Sequence, residues 1–288
     1  MIERDDDTHS AGATPTACAS GLRPATSTDH TGRSVADHFS IGIAVAVKTT
    51  GPDLETDALF ELALRRFRYD SAGLILEVDA PYDWLEDPGQ AIPETITRRT
   101  GVDAITVAGK RIDDAVATYL LRSADLVVAR GASLVRPWVD TRLPHAGGCG
   151  WACTSEEIDW RDRGIAGLAA GMPLELEERS RRAGQDVDAV LTVLRQVFDD
   201  GRTALSVLIE NAMRPSWNVR AWGARDPTEE SMRLAGYQWS SEDRVWMKHV
   251  VDRDREAAWL AQHVYGTVRN CSDARPSWAL LSRFTRHA

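Results

Sequence analysis

The stretch that most constrains this chain is Ile41–Gly51, IGIAVAVKTTG. Its Ile, Ala and Val residues form a short apolar run rich in β-branched side chains, closed by Lys48-Thr49-Thr50-Gly51. Such a run, ending in a glycine, predicts a buried strand followed by a turn. A buried strand needs cover on both faces, so the rest of the chain must supply neighbouring strands and helices.

The following segments supply them. Phe39–Val47 is expected as strand one, Leu59–Tyr69 as strand two and Gly73–Val78 as strand three, with a hairpin turn at Tyr69-Asp70-Ser71-Ala72. A loop with Pro81, Pro88 and Pro93 leads to a short helix opened by Ile92-Pro93-Glu94. Asp113–Ser123 has helical periodicity, Ala124–Ala129 reads as a buried strand, and Leu134–Leu143 as a helix with Pro137 in its first turn. Gly147-Gly148-Cys149-Gly150 breaks the chain before Trp151-Ala152-Cys153, and Arg182–Val197 is amphipathic and helical. Antiparallel strands first and β–α units after predict an α/β fold, a mixed sheet flanked by helices.

Beyond Gly201 the composition changes. Residues 214–266 hold Trp217, Trp222, Trp239, Trp246 and Trp259, half of the ten tryptophans. A small Trp-rich α+β module is expected, with a strand at Asn218–Trp222, a helix at Thr228–Ala235, a hairpin of Tyr237–Trp239 and Val245–His249, and a helix at Asp254–Val264. The expected domains are a disordered tail at 1–36, a first domain at 37–205, the module at 206–266 and a loosely attached tail at 267–288.

The formal net charge of −9 disfavours a protein that coats nucleic acid by charge alone, and leaves room for a local basic groove. No run approaches the roughly 18 apolar residues of a membrane span. The acidic start, MIERDDDTHS, is unlike a secretory signal. Cys18, Cys149, Cys153 and Cys271 make no CxxC pair, so a reduced cytoplasmic setting is expected. His145, Cys149 and Cys153 lack a fourth ligand for zinc.

Several segments, taken in order, resemble one family. They are Lys48-Thr49-Thr50-Gly51, Phe60-Glu61-Leu62 with Arg66-Phe67-Arg68-Tyr69-Asp70, Ile92-Pro93 with Thr97–Val102, Ala124–Ala129 with Arg136-Pro137-Trp138, Trp151-Ala152-Cys153 and Ile158-Asp159-Trp160. Across residues 39–200 the chain resembles 3′–5′ exonucleases of the DEDD superfamily, the group of the epsilon proofreading subunit of DNA polymerase III. Ala235–Trp239, Val245-Trp246 and Ala258–Gly266 resemble a small module that follows this domain in some exonuclease-like proteins. The resemblance implies a ribonuclease H-like sheet.

It also implies a site of four carboxylates holding two divalent metals, with a His as general base. The matching positions here are Ala46 and Lys48 on strand one, Val135 on the second motif's helix, and Arg181 and Asp186 in the last motif; only Asp186 keeps the family residue. One carboxylate cannot hold two metals about 3.5–4 Å apart. The expectation is therefore a degenerate exonuclease, a pseudoenzyme without a metal cofactor, that binds nucleic acid or a replication or repair protein. Lys48 is expected to pair with Asp186. Arg130, Arg136 and Arg182 are candidate phosphate contacts, since a guanidinium suits a phosphate bidentately. Two rivals stand beside this reading. One is an active exonuclease on DNA or RNA using Mg²⁺ or Mn²⁺ held by substitutes such as Asp53, Glu55, Asp57 or Glu61. The other is new small-molecule chemistry in the same cleft, with Lys48 as a charged or nucleophilic group.

Overall fold

The computed structural model describes residues 39–160, 182–223, 229–266 and 275–288. The expected tail at 1–36 lies outside them. In chain order come β1 (Ser40–Thr49), β2 (Leu59–Tyr69), β3 (Ile75–Val78), β4 (Tyr82–Leu85), α1 (Glu94–Thr100), α2 (Ala104–Val107), α3 (Asp114–Arg122), β5 (Leu126–Ala129), α4 (Ala132–Arg142) and β6 (Trp151–Cys153). After them come α5 (Ala183–Leu194), α6 (Ala204–Met213), β7 (Ser216–Ala221), α7 (Glu229–Leu234), β8 (Gln238–Ser240), β9 (Val245–Val250), α8 (Arg253–Leu260) and β10 (Pro276–Leu281).

The first sheet runs β3-β2-β1-β5-β6, with β4 also paired to β2. β1 is antiparallel to β2 and parallel to β5, and β5 is parallel to β6. This is a mixed sheet of ribonuclease H-like arrangement, as expected. Gly42 is dictated by packing, because a Cβ there would lie 2.1 Å from the Phe67 ring.

Alternation along β1 assigns its faces. Ala44 and Ala46 join the cluster built with Val187, Val190 and Leu191 of α5 and Leu205 and Leu208 of α6. Ile43 and Val45 join the opposite cluster, with Leu120 and Leu121 of α3 and Trp138 and Val139 of α4. Continuing the even-numbered positions puts Lys48 on the α5 face. That single step of register sets the character of the site.

Four of the differences from the sequence expectation have a clear local cause or consequence. β4 was expected as loop because Pro81 precedes it, yet Leu62 pairs with Trp84 and Leu64 with Tyr82. Helix α4 begins at Ala132, not Leu134, because Gly131 turns the chain at φ 67°. Pro137 therefore sits in the second turn, where its missing N–H leaves the Ser133 carbonyl without its intrahelical partner. Helix α8 continues as a π-turn through Ala261–Tyr265.

The fourth correction is the largest. Residues 275–288 are not loosely attached: β10 pairs antiparallel with β7 from Pro276↔Ala221 to Leu281↔Ser216. The second sheet is thus β10-β7-β9-β8, and Val219, Met232, Tyr237, Trp246 and Leu260 form its core. Trp217 and Trp259 pack against that core, while Trp222 and Trp239 are exposed. No helix among the described residues is long and apolar enough to cross a membrane.

Candidate functional site

β1 delivers Lys48 to the edge of the sheet just before the Thr49–Gly51 turn. A bulge between Lys48 and Thr49 ends the regular β1–β2 ladder there. From the facing side, α5 presents Asp186 in its first turn, where the helix dipole favours a carboxylate. The Gln185 side chain fixes the start of this helix by accepting the Arg182 N–H at 3.1 Å.

Lys48 Nζ lies 2.6 Å from Asp186 Oδ2, with 14% and 20% of the two side chains exposed. Burial pushes the Asp186 carboxyl above its ordinary value, and Lys48, Arg130 and Arg99 pull back against that rise. Three cations therefore act on one carboxylate.

A second pair sits beside the first. Glu61 is opposite Lys48 in the β1–β2 register and is 1% exposed. Its Oε1 accepts from Arg182 Nε at 2.8 Å, while its Oε2 is buried without a hydrogen-bond partner. Burial raises the Glu61 carboxyl too, with Arg182 and Lys48 opposing. Next to it, Arg65 makes a bidentate contact with Asp83 at 2.9 and 3.2 Å and reaches Asp188 at 3.2 Å. These bonds tie β2, β4 and α5 together behind the site.

Lys48 and Asp186 line a cleft of 940 Å³. Its other walls come from the start of α4, the β1–β2 turn and the segment after β6, and Ala46, Val135 and Arg130 all line it. The positions expected from sequence are thus brought together, with stated exceptions. Arg181 lies outside the described residues. Arg182 is engaged by Glu61 at the side of the cleft. Arg136 is only 7% exposed, is bound to Asp140 at 3.0 Å and does not line the cleft, so it is not available to a phosphate. It follows from helical geometry: Val135 turns to the cleft, and the next residue points about 100° away.

The acids of the β1–β2 loop hold their own turn. Asp57 accepts from Thr50 Oγ1 at 3.1 Å and from the Asp53 N–H at 3.0 Å, and Asp53 accepts from the Glu55 N–H at 2.9 Å. Among the described residues no three His, Cys, Asp or Glu side chains gather as a metal site would require. Cys149 and Cys153 do not converge on His145. Cys149 Sγ donates toward the Leu121 and Ala146 carbonyls, and Cys153 Sγ accepts from the Ala132 N–H.

Sequence reasoning missed Arg99, Leu54, Leu134 and Glu156, all of which line the cleft. Arg99 lies in the last turn of α1, and that position was the available signal. Glu156 had none. It is placed by Ser133 Oγ, which donates to its Oε1 at 2.9 Å, and by His287 Nδ1, 3.6 Å from its Oε2.

Among solved structures the chain is similar to E. coli exonuclease I in complex with a dA16 oligonucleotide: 14% identity over 85% of this chain and 64% of that one, with a TM-score of 0.45. A second structure of exonuclease I gives 14% identity over 85% and 65%, with a TM-score of 0.46. Exonuclease X in complex with 5′-overhanging duplex DNA gives 18% identity over 59% of this chain and 99% of that one, with a TM-score of 0.38. The chain spans just under two thirds of the length of exonuclease I. At these values the likeness carries nothing about the site. No protein-family model and no curated protein matches the chain.

Proposed function

We propose that this protein binds single-stranded nucleic acid in the cleft between α4 and α5 and does not cleave it through metal ions. One observation carries the reading: the Lys48 ammonium sits 2.6 Å from Asp186 on the floor of that cleft. Two-metal phosphodiester cleavage needs oxygen ligands converging from several elements. At the positions the family resemblance assigns to those ligands stand Ala46, Lys48 and Val135, which offer no oxygen, and Asp186, whose Oδ2 is already held. These residues do not fit a pair of divalent metals.

They do suit a polyanion. Lys48, Arg99 and Arg130 line the cleft against the acids Asp186 and Glu156, and apolar side chains such as Leu134 and Pro137 offer surface to the bases. The overall charge of −9 is then no obstacle, because the cationic excess is local.

The test is fluorescence anisotropy of a labelled single-stranded oligonucleotide in EDTA and in Mg²⁺, over a series of salt concentrations. The reading expects binding in EDTA, which Mg²⁺ weakens as a competing counterion and does not create. Binding should weaken as salt rises, with a slope of two to three released counterions, roughly one per phosphate contacted. An absence of binding, or binding only with Mg²⁺, would overturn it.

A further inference from the structure

The two sheets are covered differently. The first has helices on both faces, α5 and α6 against one and α3 and α4 against the other. The second is built in the order β-α-β-β-α-β, with its strands arranged β10-β7-β9-β8 and every neighbour antiparallel. This is the ferredoxin-like arrangement. Met232 of α7 and Leu260 of α8 both pack with Val219 and Ala221 of β7, so the module's described helices share one side of the sheet.

Alternation turns the intervening residues of β7 the other way. Asn218 is there in register with His249, and Arg220 with Met247 and Ser277, while Gln238 pairs with Met247 from β8. All six are half-exposed or exposed. Trp222 continues this face just past the end of β7. It is 38% exposed, and its indole N–H donates to Ser277 Oγ at 3.0 Å. The face closes at Ser216, whose Oγ accepts from Arg286 Nε at 3.0 Å, and at Val245, which is buried.

A solvated face is ordinary for an antiparallel sheet, so its composition must carry the argument. None of the residues that alternation places on this face of the four strands is Asp or Glu, in a chain that has 43 of them. The face holds an indole, an imidazole and a guanidinium, the planar groups on which unpaired bases stack. Beside them, the amides of Asn218 and Gln238 carry both donors and acceptors for base edges. The Arg220 contact with Asp243 Oδ2 is long, at 3.4 Å, and both side chains are well exposed, so exchanging it for a phosphate costs little. The charge of the segment agrees. Residues 214–288 hold twelve Lys and Arg against nine Asp and Glu, a net +3, whereas the whole chain is −9. The cationic excess belongs to the part of the chain that builds this sheet, and it suits a polyanion.

We infer that the open face of the second sheet is a site for single-stranded nucleic acid, separate from the cleft. One base stacks on Trp222 and another on His249, and Arg220 between them takes a phosphate. A duplex is excluded, because its bases are already stacked on one another. The inference does not depend on what the cleft binds.

The experiment uses the full chain in EDTA with a short labelled single strand carrying 5-iodouracil, made as DNA and as RNA. Anisotropy reads affinity, and irradiation followed by peptide mass mapping reads location. The expected result is a crosslink at Trp222 or His249, and binding about tenfold weaker in Trp222→Ala, the loss of one stacked base. Arg220→Gln should weaken binding about threefold and lower the salt slope by about one, because it removes one phosphate contact. Arg233→Gln, an exposed residue of α7 on the other side of the sheet, should bind as native. Thermal melts of each variant separate lost binding from lost folding, and Arg220→Gln, at an exposed site, carries the test if Trp222→Ala unfolds.

Crosslinks confined to the cleft, with Trp222→Ala and Arg220→Gln binding as native, would overturn this inference and leave the cleft reading standing. Losses in those two variants with Arg99→Gln unchanged would uphold it and overturn the cleft reading. Duplex bound as tightly as single strand would overturn the stacking inference. Binding of no single strand would overturn both.

Discussion

Two charged clusters lie on opposite sides of the segment after β6, and they are built on different terms. At the cleft, Lys48 and Asp186 meet with 14% and 20% of their side chains in solvent. Behind it, Glu157 is sealed: Arg286 Nη1 donates to its Oε1 at 2.8 Å and His287 Nε2 at 2.9 Å, with side-chain exposures of 3%, 5% and 0%. The Cys153 N–H donates to Glu157 Oε2, Asn211 Nδ2 donates to the Glu157 carbonyl at 2.7 Å, and Arg286 Nε donates to Ser216 Oγ at 3.0 Å. Burial alone would raise the Glu157 carboxyl, but the bonds from His287, Arg286 and Cys153 outweigh it and hold it below its ordinary value. Asp186 goes the other way, raised by a burial its partners do not offset. The sealed cluster fastens β6, α6, β7 and the chain's last residues together. The open one leaves its charges within reach of a ligand.

The largest effect should come from breaking the sealed cluster. Arg286→Met takes from the buried Glu157 carboxylate its guanidinium partner, leaving only His287 and the Cys153 N–H, and is expected to cost about 3–5 kcal/mol in urea denaturation. A cost near zero would mean that the cluster does not hold the two sheets together. At the cleft, Lys48→Met should cost less, about 1–2 kcal/mol, because Asp186 keeps some solvent and the influence of Arg99 and Arg130. The double variant Lys48→Met/Asp186→Leu should recover to within about 1 kcal/mol of native, since an apolar pair of similar size replaces a desolvated ion pair at little cost. Additive losses in the double variant would show that the two residues do not act as a pair.

The pH responses should separate as well. Asp186 and Glu61 are raised, so their ionised forms are disfavoured by folding, and the native state gains stability as pH falls through their folded values. Glu157 is lowered, so its contribution is complete above the ordinary glutamate value near 4.5 and is lost as pH falls through its folded value. A carboxyl-carbon NMR titration should find Asp186 protonating above 3.8, the ordinary aspartate value, and Glu157 below 4.5. Shifts in the opposite directions would remove the contrast. The smallest effect belongs to Arg99→Gln, which should change stability by no more than about 0.5 kcal/mol while weakening oligonucleotide binding. A larger stability loss would make Arg99 structural.

The chain's local patterns explain which parts of this were legible. β1, β2, β5 and α5 carry apolar residues at periods that single out one structure, and alternation from Ala44 through Ala46 already aims Lys48 at α5. β4 and β10 were not legible, because β4 follows Pro81, β10 opens on Pro276, and each is defined by a partner strand rather than by its own pattern. β10 pairs with a strand about 60 residues earlier in the chain. Of the cleft, the Lys48–Asp186 pair could be foreseen because a family resemblance aligned the two positions. Glu156 could not, nor could the Glu157 cluster, whose bond to His287 spans 130 residues with no motif at either end.

The most direct test of the account is incubation of 3′-labelled single- and double-stranded DNA and RNA with the protein in Mn²⁺, in Mg²⁺ and in EDTA, beside Asp186→Ala. The account predicts full-length label in every lane. Shortening from the 3′ end that requires the metal and disappears in Asp186→Ala would contradict it, and would mean that Asp186 releases Lys48 to join carboxylates brought in from elsewhere in the chain.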